Sequence, residues 1–194
     1  VVGYLDDDAK KLGKKYNGVE VLGLMQDWRK FSNTYFTSPL VSSPKSNHKK
    51  IQTVERLKIS YSRYANIVSS ELLLPNSLSM DDANLILSGT EFQDKVKIGS
   101  HVYISNNAVI CSNTSINDYV NISNSVSIQG GVIIDEGAYI GANSSIIGYS
   151  KIGRWSIIGM GSVVLNNVED FQIVAGNPAK VIGINQEAIN YFEK

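Results

Sequence analysis

The chain has 194 residues, 43% of them hydrophobic, and carries 18 basic and 18 acidic side chains, so its formal net charge is zero. That length holds one large or two small domains, and the charge balance gives no steering toward nucleic acid or an anionic membrane. No apolar run approaches the roughly 18 residues of a membrane span, no signal-peptide pattern is present, and a lone Cys111 cannot form an internal disulfide, which together point to a reducing cytoplasm.

Residues 1–65 read as a small, partial α/β unit. Val1–Leu5 predicts a strand running into the acidic turn Asp6-Asp7-Asp8. A second strand, Val19–Leu22, follows the turn signal Asn17-Gly18. A third is expected at Thr34–Val41. From His48 to about Arg63 the spacing of Ile51, Val54, Leu57 and Ile59 predicts a helix capped by Ser46 or Asn47. Lys49, Lys50, Glu55 and Arg56 would then lie mainly outside, and His48 would be a surface residue.

From residue 68 the pattern changes. Every sixth position to residue 164 is a large apolar side chain: Val68, Leu74, Met80, Ile86, Phe92, Ile98, then isoleucine from Ile104 through Ile158, then Val164. Two residues before each later rung stands a small or β-branched residue, from Val96 and Val102 to Ser156 and Ser162. Helices repeat near 3.6 residues and strands near 2, so a fixed period of six is neither alone. It predicts a solenoid in which each hexad is a short strand plus a corner, and three hexads close a triangular coil of 18 residues. The glycines at 99, 130, 131, 141, 148, 153, 159 and 161 are expected at corners needing positive φ, with Asn113, Asn117, Asn124, Asn143 and Asn166 serving similarly. Trp155 is expected as an outward corner residue offering an interface or ligand surface, and Tyr103, Tyr119, Tyr139 and Tyr149 also lie off the ladder. After Val164 the beat ends in Ala175-Gly176-Asn177-Pro178-Ala179-Lys180, and residues 184–194 predict a short capping helix.

The ladder, followed by Gly159-Met160-Gly161-Ser162-Val163-Val164 and by Ala175-Gly176-Asn177-Pro178-Ala179-Lys180, resembles the hexapeptide-repeat acyltransferases. The resemblance implies a mainly β protein, a left-handed parallel β-helix over residues 66–183 that assembles as a homotrimer. In front, Val1-Val2-Gly3-Tyr4-Leu5-Asp6-Asp7 and Gly18-Val19-Glu20-Val21-Leu22-Gly23 resemble the second half of the small sugar-nucleotide-binding domain of bacterial sugar O- and N-acetyltransferases. That group includes sialic acid O-acetyltransferases and acetyltransferases for nucleotide-linked 4-amino sugars. The implied activity is acetyl transfer from acetyl-CoA to a sugar for a bacterial surface glycan. The implied partners are a sugar or nucleotide-sugar substrate and further copies of the chain, with neither nucleic acid nor membrane. The family's opening glycine-rich turn has no counterpart here, which implies an altered or truncated front domain.

A second departure concerns the chemistry. The family's general base is a histidine in a motif like Glu-His-Asp/Glu-x-x-Ile-Gly-Asp. The matching stretch is Cys111-Ser112-Asn113-Thr114-Ser115-Ile116-Asn117-Asp118, framed by Ile110 and Ile116, so Ser112 stands at the histidine position and Asn113 at its carboxylate neighbour. Acetyl transfer from a thioester needs a base, an oxyanion donor and two positioned substrates. Imidazole suits the first task and a serine hydroxyl does not. His101 is eleven residues away, off the repeat, and reads as a solvated corner residue; Cys111 has no cation beside it to activate it and reads as a filler. Positions 18 apart stack, so Ser112, Gly130 and Gly148 share one corner and Asn124, Ala142 and Met160 another. The resemblance carries over Asn121, Ala142 and Met160 as acetyl-CoA contacts, the latter two through backbone amides. Gly130 leaves room for the thioester, and Lys180 is placed against a CoA phosphate. With only His48 and His101 in the chain, no zinc site is expected. The alternatives are a relative that binds CoA or sugar nucleotide with little or no turnover, and a trimeric scaffold.

Overall fold

A computed structural model describes residues 1–37 and 43–193. The period of six becomes a three-sided parallel coil. One flank carries the two-residue strands Ile67–Val68, Leu85–Ile86, Tyr103–Ile104, Asn121–Ile122, Tyr139–Ile140 and Ile157–Ile158, and is extended by Gln172–Ala175 and Lys180–Ile184. We call it flank A. Flank B stacks Glu91–Phe92, Val109–Ile110, Ser127–Ile128, Ser145–Ile146 and Val163–Val164. Flank C stacks Ser79–Met80, Lys97–Ile98, Ser115–Ile116, Ile133–Ile134 and Lys151–Ile152. Pairs lie 18 residues apart, as in Ile110↔Ile128 and Ile116↔Ile134, without a slip between Ile98 and Ile134. The rungs fill the interior: Ile104, Ile110, Ile122, Ile128, Ile134 and Ile140 are fully buried. The small residues two positions earlier are buried with them, and most of their hydroxyls are satisfied locally, Ser156 being the exception. Ser144, Ser150 and Ser162 each donate to the carbonyl three residues back, at 2.6–2.7 Å.

The ladder frays at both ends. Leu74 is 42% exposed and lies in no strand, while Leu72 and Leu78 pack on the core instead, so the first coil is irregular. At the far end the spacing drops to 16 residues, pairing Ile158 with Val174 and bridging Ile152 to Val168. Lys180–Ile184 then closes the stack as an antiparallel strand.

Corner geometry corrects the expectation for the glycines. Positive φ recurs at the third residue after each rung, at Ala83, Gly89, Lys95, His101, Asn107, Asn113, Tyr119 and so on to Gly161. Of the predicted glycines only Gly131 and Gly161 lie there. Gly99, Gly141, Gly153 and Gly159 sit directly after a rung for a different reason. A Cβ at Gly141 would stand 2.6 Å from the Ile158 oxygen, and one at Gly153 2.5 Å from the Asp170 nitrogen. These glycines let one coil approach the next.

The front segment forms a sheet in the order β1 (Tyr4–Leu5), β3 (Val19–Gly23), β2 (Lys15–Tyr16). The expected first strand is thus only two residues long. The expected third strand, Thr34–Val41, lies partly outside the described residues; within them Phe36 makes one bridge, to Tyr64. Helix α1 is shorter than expected, His48–Leu57, and is followed by the single turn Tyr61–Arg63. Helix α2 spans Gln186–Phe192.

Both helices pack on the corner between flanks C and A, and this overturns several surface expectations. Lys50 is 1% exposed and donates from Nζ to the His101 oxygen. Asn47 does not cap α1 with its side chain; its Nδ2 donates to the Tyr119 and Gly137 oxygens. Asn185 Nδ2 donates to the Trp155 oxygen. Four successive positive-φ corners thus have their carbonyls capped by side chains from α1 and the start of α2. His101 is not solvated: it is 1% exposed and stacks on Tyr119 with centroids 5.1 Å apart. Trp155 is 2% exposed, lies over Gly137 and packs against Phe192 of α2. His48 is buried against Tyr191. The outward aromatic corner is an interface, but with the chain's own helices.

Candidate functional site

Ser112 lies at the corner between flanks B and C, two residues past the rung Ile110. Its oxygen accepts from Gly131 N–H, and the Gly130 oxygen accepts from Tyr149 N–H, so Ser112, Gly130 and Gly148 form one column as predicted. A Cβ at Gly130 would meet only the Ser112 oxygen, at 3.2 Å, leaving the space beside Ser112 open. Asn113 is exposed, with φ 61°. Cys111 is half-buried.

Sequence reasoning missed Gln93. It follows the rung Phe92 one coil below, and its Oε1 accepts both the Ser112 backbone N–H, at 3.1 Å, and the Ser112 hydroxyl, at 3.2 Å. The 18-residue register places position 94 under Ser112, which could have pointed to this neighbour. Asp94 stands in that column and accepts from the Ser77 hydroxyl at 3.1 Å.

Ala142 and Met160 lie at the corner between flanks A and B, where Gly161 N–H donates to the Ala142 oxygen. Neither the Ala142 nor the Met160 backbone N–H donates to a hydrogen bond within the described residues, and Met160 is 79% exposed. Two unused backbone donors thus stand one coil apart, an arrangement suited to an extended polar ligand. Lys180 is exposed, pairs with Ala175, and so lies near Gly159, whose absent side chain makes room for Ala175.

Asn121 occupies flank A, in register between Tyr103 and Tyr139. It is 1% exposed and its Nδ2 has no hydrogen-bond partner. A buried amide without a partner costs about 1–3 kcal/mol, which marks the position as one that local packing alone does not explain.

These positions belong to two different corners of the coil, Ala142 and Met160 between flanks A and B and Ser112 between flanks B and C, with the strands of flank B between them. His101 lies at the third corner, under α1, and His48 is the first residue of α1 itself, packed on Tyr191 of α2. Burial, and the Lys50 ammonium beside it, lower the His101 pKa to about 4, so it is a weakened base, and it stands at another corner from Ser112.

Two cavities accompany these corners. A cavity of about 750 Å³ in the front segment is lined by Val2, Leu22, Trp28, Phe36, Leu57 and Tyr64 among others. Thr37 Oγ1, on its wall, is buried without a partner. A second, of about 300 Å³, lies among Asn117, Asp118, Asp135, Glu136 and Arg154. Of its charges, Asp135 pairs with Lys151 at 3.0 Å and Arg154 with Asp170 at 3.1 Å, while Asp118 accepts from the Ser100 N–H. Among the described residues no group of side chains is placed to hold a metal ion, and no helix is long and apolar enough to cross a membrane.

No protein-family model matches the sequence, and a search of the curated proteins finds no match. Solved structures do match. A histidine-to-alanine variant of GDP-perosamine N-acetyltransferase from Caulobacter crescentus, in complex with CoA and GDP-perosamine, superposes with a TM-score of 0.82 over 93% of this chain and 84% of that one, at 19% identity. The fold is theirs to share: a left-handed parallel β-helix. The acetyltransferase domain of PglB from Neisseria gonorrhoeae, in complex with acetyl coenzyme A, gives a TM-score of 0.77 over 93% and 85% of the two chains, also at 19% identity. WeeI from Acinetobacter baumannii gives 0.68 over 93% and 85%, at 22% identity. The superposition thus extends through nearly the whole chain.

Proposed function

We propose that this chain is an acetyl-CoA-dependent acetyltransferase that modifies a nucleotide-linked amino sugar or sialic acid for a bacterial surface glycan, working as a homotrimer in the cytoplasm. The observation that carries the reading is the superposition, across 93% of the chain, on an enzyme with CoA and a sugar nucleotide bound. Local geometry supports it. The outward N–H groups of Ala142 and Met160 would hold the cofactor's amide arm, with Lys180 at a phosphate and Asn121 on the adjoining flank. Ser112 and Asn113 would face the acetyl group across the space left by Gly130. Because these corners lie on different sides of one coil, a groove between neighbouring copies is the arrangement that unites them, which favours the trimer.

In the division of labour we assign, residues 1–65 receive the nucleotide, residues 66–183 form the transferase coil and residues 184–194 cap it. The front cavity, with Trp28, Phe36 and Tyr64 on its wall, offers stacking surface for a base. Acetyl-CoA supplies an activated acyl group; the chain's residues position it and exclude water.

The test is calorimetry with acetyl-CoA, sedimentation velocity, and an acetylation assay over a panel of amino-sugar nucleotides and sialic acid. Micromolar cofactor binding by a trimer that acetylates a panel member supports the reading. A monomer that binds no CoA overturns it and leaves the scaffold. One observation favours a second reading, binding with little turnover: Ser112 faces only the neutral Gln93 amide. Cofactor binding without turnover, with turnover gained in Ser112→His, would establish that alternative.

A further inference from the structure

The contact between Gln93 and Ser112 bears on which acceptors this site can use, given the acetyltransferase reading above. The backbone N–H of Ser112 can only donate. The Gln93 atom facing it at 3.1 Å is therefore the amide oxygen, not the NH₂ group. The Ser112 hydroxyl, 3.2 Å from the same oxygen, must donate to it as well. Its proton is committed to Gln93 at the exposed face of the corner, and its lone pairs stay available beside the space that Gly130 leaves open. A hydroxyl held this way accepts a hydrogen bond from an incoming nucleophile but does not remove its proton, because an amide oxygen is no base.

We propose that Ser112, oriented by Gln93 as a positioning residue, restricts the reaction to amine acceptors that arrive as free base, so that the chain carries out N-acetylation and not O-acetylation. An alkylammonium gives up its proton to solvent at about pH 8–10, so a usable neutral fraction exists before binding. A sugar hydroxyl is an acid nearly as weak as water, at about 15.7, and needs a base in the transition state. In the transfer, the amine lone pair forms the C–N bond at the thioester carbonyl and the C–S bond breaks with its electron pair going to sulfur. The proton shed by the acetylated nitrogen ends on the CoA thiol. No further reactant is required. Both histidines of the chain belong to another corner, His101 beneath α1 and His48 at the start of α1, and Asp94, one coil below Ser112, is the acidic group in this column.

The test begins with acetyl-CoA calorimetry on the full chain and continues with GDP-perosamine, other amino-sugar nucleotides of differing amine basicity, and their hydroxyl counterparts. The expected result is acetylation of an amine with its hydroxyl counterpart at least 100-fold slower. The alkaline rise of kcat/KM should follow each amine's own pKa in both wild type and Ser112→Ala. Gln93→Ala should lower kcat about 5- to 10-fold with little change in KM. Gln93→Glu, which retains an acceptor oxygen, should restore most of that loss, and Ser112→His should extend the rise down to about pH 6.5. Comparable acetylation of hydroxyls, a rise independent of the amine, or a rise abolished by Asp94→Asn would overturn the proposal. CoA binding with no amine acetylated would overturn it while leaving the cofactor half of the functional reading standing. Absence of CoA binding would remove the functional reading itself.

Discussion

Lys50 Nζ lies 3.0 Å from the main-chain oxygen of His101, 51 residues further along the chain, at the point where helix α1 meets the β-helix. Burial lowers the Lys50 pKa to about 8 from its ordinary 10.5, and lowers that of His101 to about 4 from 6.5. In both cases the unfolded chain binds the proton more tightly. Stability is therefore lost as pH falls from about 6.5 toward 4, and gained as pH rises from about 8 toward 10. Above that, Tyr64, whose pKa burial raises to about 12, and Tyr119, raised further, resist ionisation in the fold and reverse the gain. Urea melts from pH 4 to 10 should show both rises. Lys50→Met should erase the alkaline one, keep the acid one, and change stability at pH 7 by less than about 1 kcal/mol, because a buried cation is exchanged for an apolar chain of similar volume.

Asn47 carries a larger cost. Its Nδ2 spans the Tyr119 and Gly137 oxygens at 3.0 and 2.9 Å, tying α1 to two coils at once. Asn47→Ala leaves both carbonyls buried without this donor and should destabilise by about 2–4 kcal/mol, given about 1–3 for each unmet group. Asn47→Asp should be worse, since a carboxylate would face two carbonyl oxygens. Thermal unfolding with circular dichroism measures both.

The two kinds of glycine separate cleanly by substitution. Gly141→Ala drives a Cβ against backbone atoms of the next coil, at 2.6 Å from the Ile158 oxygen and 2.7 Å from the Met160 nitrogen, and neither can move alone. A loss of about 3 kcal/mol or more is expected. At Lys95, exposed with φ 60°, a change to Gly relieves the left-handed strain and should gain about 0.5–1 kcal/mol. Denaturant midpoints for the pair should move in opposite directions.

These glycines also show where reading the sequence succeeded and stopped. The phase of the isoleucines located the flanks, corners and stacked columns, because inward packing imposes a period that composition displays directly. It therefore also put Ser112 beside Gly130. The same phase distinguishes Gly141, one residue after a rung, from Gly131, three after, but assigning both to positive φ ignored the distance between coils. Lys50, His101 and Trp155 were misplaced because their burial depends on α1 and α2 folding back over a corner, contacts far apart in sequence that no local period encodes. Gln93 escaped notice because its role is a side-chain contact across coils, not a motif along the chain.

Asn121 offers a way to separate a packing role from a binding role. Its buried Nδ2 has no partner, and a functional site is where such a cost is tolerated. Asn121→Leu removes the unmet donor at similar volume and should raise the stability of the chain alone by about 1 kcal/mol. If the amide serves acetyl-CoA or a neighbouring copy, the same variant should lose the thermal stabilisation that saturating acetyl-CoA gives the wild type, a shift set by RT ln(1 + [L]/Kd). Differential scanning fluorimetry across a cofactor titration reads both effects in one experiment. A variant more stable alone and unchanged in its cofactor response would mean that Asn121 is a packing residue and that the contact with CoA lies elsewhere on flank A.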